Sequence, residues 1–412
     1  MKKEKFLEYF KNVPVSVNNL YGDPFFSLQE ENTFEKLDSL KSTGHKGIVA
    51  IITKSEITEE QAIRLQKYAK YLKLIVLVSI SGLPNKVIKG KPYECTSNNR
   101  YNGLKNCKKY NIPALAYVRP FIPPYNTSRE CIENIFKSVS ESGIDIMVVS
   151  GLRGNDEILL NSGISEEEKE KWSFRVKIIP TDVRKLLNEF KEKYNIKLFE
   201  RTSCGVAYAL GEEYSYNPYQ ASPQLAKCYN CLLKSTCFDK KDSEIFKPTE
   251  EDLELINMLG YSAHINTYDT GEVCKVNPLK RTECESCCTS CYKLKRNSIE
   301  LENVERGISL GDTSMLRLLT KKLVYGKGVR EVGDKNVAYP TSEILKGLPI
   351  YMVNSWWVYA RSTSYCYNCS YCMIGKYYSD CKKEEELGSN PSEVAEIIWN
   401  RCNQKQRNEM MV

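Results

Sequence analysis

The sequence lacks any apolar stretch long enough to span a membrane, and it lacks the apolar run of a secretory signal. Its basic start, residues 1–5, leads into Phe6, Leu7 and Glu8 instead. We therefore expect a cytoplasmic protein with no membrane partner. Thiols stay reduced in the cytoplasm, so clustered cysteines there bind metal more often than they form disulfides.

The chain also lacks a strong charge imbalance, an internal repeat and a low-complexity tract. Its net charge of +7 permits an anionic substrate but does not require one, and a dedicated nucleic-acid binder is usually more basic. Cysteine, by contrast, is abundant. The seventeen cysteines are an odd number, which fits a fully disulfide-bonded protein poorly. We therefore expect metal sites.

The first 200 residues alternate short apolar runs with amphipathic helices. The runs are rich in β-branched residues, which is typical of strands buried on both faces. Thr58 begins a capping box with Gln61, and Thr127 and Ser128 open a helix that ends before Gly143. Repeated strand–helix–strand units predict a parallel sheet or barrel with its site at the carboxyl ends of the strands. The predicted strands are residues 15–20, 47–53, 74–79, 113–118, 145–150 and, near the C-terminus, 356–361.

Three cysteines, Cys366, Cys369 and Cys372, follow the last predicted strand. Three thiolates in one loop can bind three irons of a [4Fe–4S] cluster and leave the fourth iron open. An open iron can chelate S-adenosylmethionine, and reductive cleavage of that cofactor gives a radical that abstracts hydrogen from a substrate. The alternative is a zinc knuckle that takes its fourth ligand from elsewhere.

This segment resembles the radical S-adenosylmethionine superfamily, whose cluster loop usually reads C-x3-C-x-aromatic-C. Cys369, Tyr371 and Cys372 match its second half, and the spacing from Cys366 is one residue shorter. The turn Gly22-Asp23-Pro24 is similar to the family motif that receives the methionine amino group. Taken alone, Gly-Asp-Pro is more often an ordinary turn.

Further residues at strand ends are similar to the spore photoproduct lyase-like branch of that superfamily. The resemblance implies that lysine and serine at these places contact the carboxylate and ribose of S-adenosylmethionine. Taken singly, Lys54 and Ser79 are more often solvated loop ends. The positions that carry this resemblance are Lys54, Ser55, Ser79, Ser81 and Arg119.

The order of these elements predicts a circular permutation, because the family's first unit (strand, cluster loop and helix) is last here. The resemblance implies an α/β protein with a partial (β/α)6 TIM-type barrel. Residues 1–200 would supply strands 2–6, and residues 346–412 would supply strand 1, the cluster loop and the first helix. The final helix would end near Cys402, and this end would lie close in space to the start of the first strand near Pro14. Alternatively, the C-terminal unit docks on another copy of the chain.

Residues 201–345 predict an inserted cysteine-rich metal-binding region. Its spacings suit zinc and iron–sulfur clusters about equally, and the resemblance favours auxiliary [4Fe–4S] clusters. His264 could be a ligand but is more often structural in such a setting, and most of the scattered cysteines, such as Cys107 and Cys402, are expected to be structural. One of these cysteines could instead donate a hydrogen atom. Residues 314–324 predict an ordinary basic surface helix. The candidate ligands are Cys204, Cys228, Cys231, Cys237, Cys274, Cys284, Cys287, Cys288 and Cys291.

The sequence thus predicts a radical enzyme that takes electrons from a reductant such as flavodoxin or ferredoxin. The spore-lyase resemblance favours a nucleic-acid or nucleotide substrate, whereas the cysteine-rich region favours a peptide. A second class of function is a zinc-stabilised nucleic-acid-binding protein without redox chemistry. That class explains the cysteine pairs, but it does not explain the polar residues at successive strand ends.

Overall fold

A computed structural model of the chain has a mostly parallel sheet at its centre. The structure describes residues 1–18, 22–26, 28–82, 97–123, 125–151, 179, 181–212, 247–266, 298–302, 310–326, 342–353, 356–362, 385–386 and 388–410. The strands are β1 Val15–Val17, β2 Ile48–Thr53, β3 Lys73–Ile80, β4 Ala114–Phe121, β5 Ile146–Gly151, β6 Lys197–Phe199, β7 Ala263–Asn266, β8 Ser298–Leu301, β9 Val324–Gly326, β10 Met352–Val353, β11 Trp356–Tyr359, β12 Arg361–Ser362 and β13 Glu385–Glu386. The helices are α1 Lys3–Lys11, α2 Glu30–Ser42, α3 Glu59–Ala69, α4 Ser97–Lys109, α5 Arg129–Glu141, α6 Thr181–Lys193, α7 Thr202–Ala209, α8 Glu250–Met258, α9 Leu310–Thr320 and α10 Pro391–Met410.

The central sheet has the strand order β10-β11-β1-β2-β3-β4-β5-β6. Strand β11 and strands β1 to β6 are parallel, and β10 is antiparallel at one edge. The expected α/β class and parallel strands are therefore confirmed. Strand β6 is a seventh parallel strand that the sequence analysis does not predict. Among the described strands, β6 and β10 are the edges of this ladder.

The C-terminal strand lies beside the first N-terminal strand within the same chain. Trp357 of β11 is paired with Val15 of β1, and Tyr359 with Val17. Helix α10 packs on α1, where the rings of Phe6 and Trp399 are 5.3 Å apart. The two ends of the chain thus build one continuous part of the sheet.

Both faces of the central sheet are buried, as the apolar strand runs predict. One face packs against the surrounding helices through residues such as Val76 and Val78. The opposite face carries Leu77 and Tyr117, and α7 packs on it; we call it the α7 face.

The helix starts that the sequence predicts are confirmed. Thr58 and Gln61 form the capping box of α3, and the Ser128 side chain caps α5. Gly143, which follows that helix, has φ +78°, a conformation that glycine adopts without the steric cost of a side chain.

A second sheet has the order β7-β8-β9 and shares its hydrophobic core with the helices around the central sheet. The predicted surface helix at residues 314–324 is wrong in position and in exposure. Helix α9 ends at Thr320, Lys321 adopts φ +58°, and the chain enters β9. Polar as well as apolar side chains of α9 are buried, so it is not a surface helix: Asp312, Thr313, Met315, Leu316, Leu319 and Thr320. No helix in the described part of the chain is long and apolar enough to cross a membrane.

Candidate functional site

The turn Gly22-Asp23-Pro24 follows β1 and is fixed to the end of β2 by the Asp23 carboxylate. Its Oδ1 accepts hydrogen bonds from Thr53 Oγ1 at 2.6 Å and from the backbone N–H of Phe25 at 3.1 Å. Its Oδ2 accepts from the backbone N–H of Lys54 at 2.6 Å. A buried carboxylate needs such donors to offset the loss of water. Asp23 therefore holds two of the predicted motifs together.

Asn18 connects this turn to the strand that leads into the three cysteines. Its backbone N–H donates to Tyr359 O at 3.3 Å, and its Oδ1 accepts from the backbone N–H of Arg361 at 3.0 Å. Its Nδ2 donates to Thr33 Oγ1 at 3.0 Å, and that hydroxyl donates to Pro24 O at 2.7 Å. We call this chain of bonds, from Arg361 to Pro24, the Asn18–Thr33 relay.

Strands β12 and β13 pair antiparallel and form a short stem beyond β11, with Arg361 opposite Glu386. Lys36 of α2 contacts this stem: its Nζ lies 3.3 Å from a Glu386 carboxylate oxygen and 4.7 Å from the centre of the Tyr359 ring. Burial lowers the pKa of Lys36, although Glu386 opposes that shift. In the sequence, Cys366, Cys369, Tyr371 and Cys372 come between the two strands of the stem, and they lie outside the described residues.

Polar residues lie on the α7 face where the parallel strands end. Ser79 follows Leu77 by two positions in β3, and Arg119 follows Tyr117 by two in β4; because side chains alternate along a strand, each pair shares a face. The Arg119 guanidinium lies 4.0 Å from the centre of the Tyr117 ring. Ser150 occupies the corresponding place in β5 and is buried. The sequence analysis did not select Ser150, because a single serine at the end of an apolar run carries no motif.

Lys54, Ser55 and Ser81 lie directly after the ends of β2 and β3. Ser55 and Ser81 are buried, and Lys54 is half-buried. Ser55 N donates to Thr53 Oγ1 at 2.9 Å, so these residues continue the network around Asp23. The structure thus brings together the predicted positions from Gly22 to Arg119 at the ends of adjacent strands.

Asn126 is a structural partner of this edge that the sequence analysis also missed. Its Nδ2 donates to Ser81 O at 2.6 Å and to Pro120 O at 2.8 Å, and its Oδ1 accepts from the backbone N–H of Ile122 at 2.6 Å. One buried amide therefore joins the ends of β3 and β4.

The side chains at this edge could hold a small polar ligand. Lys54 and Arg119 are cationic and could bind a carboxylate, and the serine hydroxyls could bind the hydroxyl groups of a sugar. Ser16, paired with Ala50 on the α7 face, has a buried hydroxyl with no hydrogen-bond partner among the described residues. Such a hydroxyl is costly unless a partner satisfies it, which agrees with a polar ligand on this face.

Most of the predicted metal ligands of the middle region lie outside the described residues: Cys228, Cys231, Cys237, Cys274, Cys284, Cys287, Cys288 and Cys291. Cys204 is described, and it is buried in α7 in a cluster with Val148 and Phe199. Among the residues the structure describes, no group of three or more His, Cys, Asp or Glu side chains is placed to hold a metal ion. The grouping of Cys204 with the other cysteines stays a prediction.

The remaining described cysteines and His264 differ in their surroundings. Cys107 and Cys402 are confirmed as buried members of the hydrophobic core, and burial raises the pKa of Cys107 to about 12. His264 is exposed on β7, where its Nδ1 lies 3.5 Å from a Glu302 carboxylate oxygen.

No protein-family model matches this chain, and no curated protein sequence matches it. A functional conclusion therefore depends on the geometry of the site and on the motifs that the site brings together.

Proposed function

We propose that this chain is a radical S-adenosylmethionine enzyme whose [4Fe–4S] cluster is held by Cys366, Cys369 and Cys372. The observation that carries the proposal is the Asn18–Thr33 relay. It joins the strand before these cysteines to the Gly22-Asp23-Pro24 turn, and Asp23 joins that turn to Lys54. The strand before the cysteines, the turn and the residue after β2 are far apart in the sequence, and a chain of hydrogen bonds joins them, which supports the proposal.

The length of chain between β12 and the first cysteine is compatible with the proposed site. Cys366 comes four residues after Ser362, the last described residue of β12, and four residues of extended chain span at most about 14 Å. The proposal requires that the cysteine thiolates and the Gly22-Asp23-Pro24 turn share one ligand.

The proposed roles of the residues follow from their chemistry. When bound, the cluster and S-adenosylmethionine would supply the reductive cleavage and the hydrogen-abstracting radical. Backbone groups of Gly22 and Asp23 would receive the methionine amino group, while Lys54 and Arg119 would hold its carboxylate. Ser55, Ser79 and Ser81, with Ser150 beside them, would orient the ribose, and Tyr371 and Pro24 would pack against the cofactor.

The α7 face supplies the exclusion of water that radical chemistry needs. Leu77, Tyr117 and Val148 are buried there below the polar residues of the strand ends. A reactive species formed at the carboxyl ends of the strands would therefore have an apolar floor on the side of the sheet.

The same proposal includes the arrangement of the barrel and of the other metal sites. We propose a circularly permuted partial (β/α)6 barrel, with auxiliary [4Fe–4S] clusters or zinc in residues 201–345. Flavodoxin or ferredoxin would supply the electron, and the substrate would be a nucleic acid, a nucleotide or a peptide. The parallel pairing of β11 with β1 in one chain supports the permutation.

The test is product formation by anaerobically reconstituted and chemically reduced protein. We expect 5′-deoxyadenosine and methionine from S-adenosylmethionine, and broad absorption near about 400 nm, as iron–sulfur thiolate proteins have. Cys369→Ala should abolish both products. Cys131→Ala is the matched control, because Cys131 is half-buried in α5 with its Sγ 3.5 Å from Gly82 O, and it should keep wild-type activity.

The opposite result would be colourless protein with stoichiometric zinc and no 5′-deoxyadenosine. That outcome would favour the zinc-stabilised nucleic-acid-binding protein, whose binding to an oligonucleotide should weaken as salt increases.

A further inference from the structure

Asn18, the residue after β1, combines an unusual backbone conformation with side-chain hydrogen bonds to two other segments. Its φ is +49°, in the left-handed region that asparagine tolerates better than most residues. It is 1% exposed. Its amide contacts two segments: Oδ1 binds Arg361 N, and Nδ2 binds Asn32 Oδ1 and Thr33 Oγ1, each at 3.0 Å.

The direction of the hydrogen bonds makes Thr33 the link to the turn. Because Thr33 Oγ1 accepts from Asn18 Nδ2, its single hydrogen is left to donate. Pro24 O, at 2.7 Å, is a closer acceptor for that hydrogen than Gln29 O at 3.2 Å. Thr33 is fully buried, so water does not compete for these bonds.

We propose that Asn18 and Thr33 are positioning residues that set the Gly22-Asp23-Pro24 turn against the β12–β13 stem. They contact neither reacting atoms nor cofactor. Their effect is on S-adenosylmethionine affinity, since the cofactor must contact the turn and the cluster at once. This inference rests on the proposed function.

The first test is Thr33→Val, which removes the hydroxyl and nearly preserves the shape of the side chain. We expect the KM for S-adenosylmethionine to rise about two- to tenfold, the range that corresponds to one neutral hydrogen bond. The iron content and kcat at saturating cofactor should stay near wild type. Thr320→Val is the control: this buried hydroxyl donates to Leu316 O at 2.7 Å in α9, away from the turn, and its loss should leave KM unchanged.

The second test is Asn18→Asp, which keeps the acceptor for Arg361 N and the tolerance for positive φ. The carboxylate replaces the donor to Thr33, so the Thr33 hydroxyl should turn toward it and leave Pro24 O. We expect the same rise in KM as in Thr33→Val. We also expect a weaker change in the electron paramagnetic resonance spectrum of the reduced cluster when S-adenosylmethionine is added at a fixed concentration.

The outcomes separate this inference from the proposed function. If wild-type protein binds no iron and releases no 5′-deoxyadenosine, the proposed function fails. If the wild type is active and both variants keep its KM and spectral response, only the relay fails. Loss of iron or of thermal stability in Thr33→Val beyond that in Thr320→Val, with KM unchanged, would mean that the hydroxyl only stabilises the fold, and this too would overturn the relay.

Discussion

Asp23 is the residue on which the local structure of the site depends most. Its carboxylate accepts one hydrogen bond from within the turn and two from the end of β2, and a carboxylate that accepts several backbone and hydroxyl donors organises a turn strongly. The sequence predicts that Asp23 belongs to the site. It does not predict that the side chain accepts hydrogen bonds from Thr53 and Lys54, because such contacts depend on how strands pair.

Asp23→Asn should lower the free energy of unfolding by about 1.5–3 kcal/mol, the worth of a hydrogen bond to a charged group. The new NH2 group cannot accept a hydrogen bond, so either Lys54 N or the Thr53 and Phe25 donors lose their partner. Urea unfolding measures the change. Asp38→Asn is the control, because exposed Asp38 accepts one bond from Tyr68, and equal losses in the two variants would contradict the assigned role of Asp23.

His45 makes the stability of the protein depend on pH. Burial lowers the pKa of His45 to about 4, from an ordinary value of 6.5. The unfolded chain therefore takes up a proton near pH 6.5 that the folded chain resists until about pH 4. This contribution is fully present above pH 6.5 and is lost as the pH falls toward 4.

We expect the free energy of unfolding to fall by roughly 2 kcal/mol from this residue between about pH 7 and pH 5. His45→Gln should flatten that part of the pH profile, measured by urea unfolding. The chain has only one other histidine, the exposed His264, so His264→Gln is a direct control. An unchanged slope in His45→Gln would show that another group causes the dependence.

At the scale of elements, the sequence predicts the helices and strands that are specified by residues close together in the chain. The capping box of α3 and the apolar runs of β2 to β5 depend on neighbouring residues, and all of them form. Strand β6 has only three residues, and it forms because it pairs with β5. Its composition alone does not predict a strand. Strand β9 likewise exists because Val324 pairs with Ile299 of β8, which ends α9 earlier than its apolar spacing predicts.

Helix α7 lies on the sheet because Gly205 permits a close approach. A Cβ at Gly205 would lie 2.5 Å from Val148 Cγ2, closer than two carbon atoms can approach. Gly205→Ala should therefore push α7 away from β5 and destabilise the protein by about 1–3 kcal/mol, as overpacking does.

A double-mutant cycle with Val148→Ala tests this cause, because that substitution removes the clashing methyl group. We expect the double variant to be more stable in urea unfolding than the sum of the single effects predicts. Simple additivity would mean that Gly205→Ala acts through something other than the contact with Val148.

At the scale of the whole molecule, the sequence predicts the adjacency of the two ends of the chain. The resemblance that these strand ends and cysteines carry implies that the C-terminal strand lies beside the first N-terminal strand, in the same chain or in another copy. The structure pairs β11 with β1 within one chain. The Asn18–Thr33 relay and the packing of α7 on the sheet were not predictable, because they depend on side-chain contacts between segments that carry no motif. For the same reason, only the structure shows that Ser150 and Asn126 belong to the site.

The proposed function requires that an iron left open by Cys366, Cys369 and Cys372 binds S-adenosylmethionine beside the Gly22-Asp23-Pro24 turn. The direct measurement is electron–nuclear double resonance of the reduced protein with S-adenosylmethionine labelled with ¹⁵N at the amino group and ¹⁷O at the carboxylate. We predict that both labels couple to the cluster in the wild type and that neither couples in Cys369→Ala. A wild-type cluster that shows no coupling to either label, under saturating cofactor, would contradict the account.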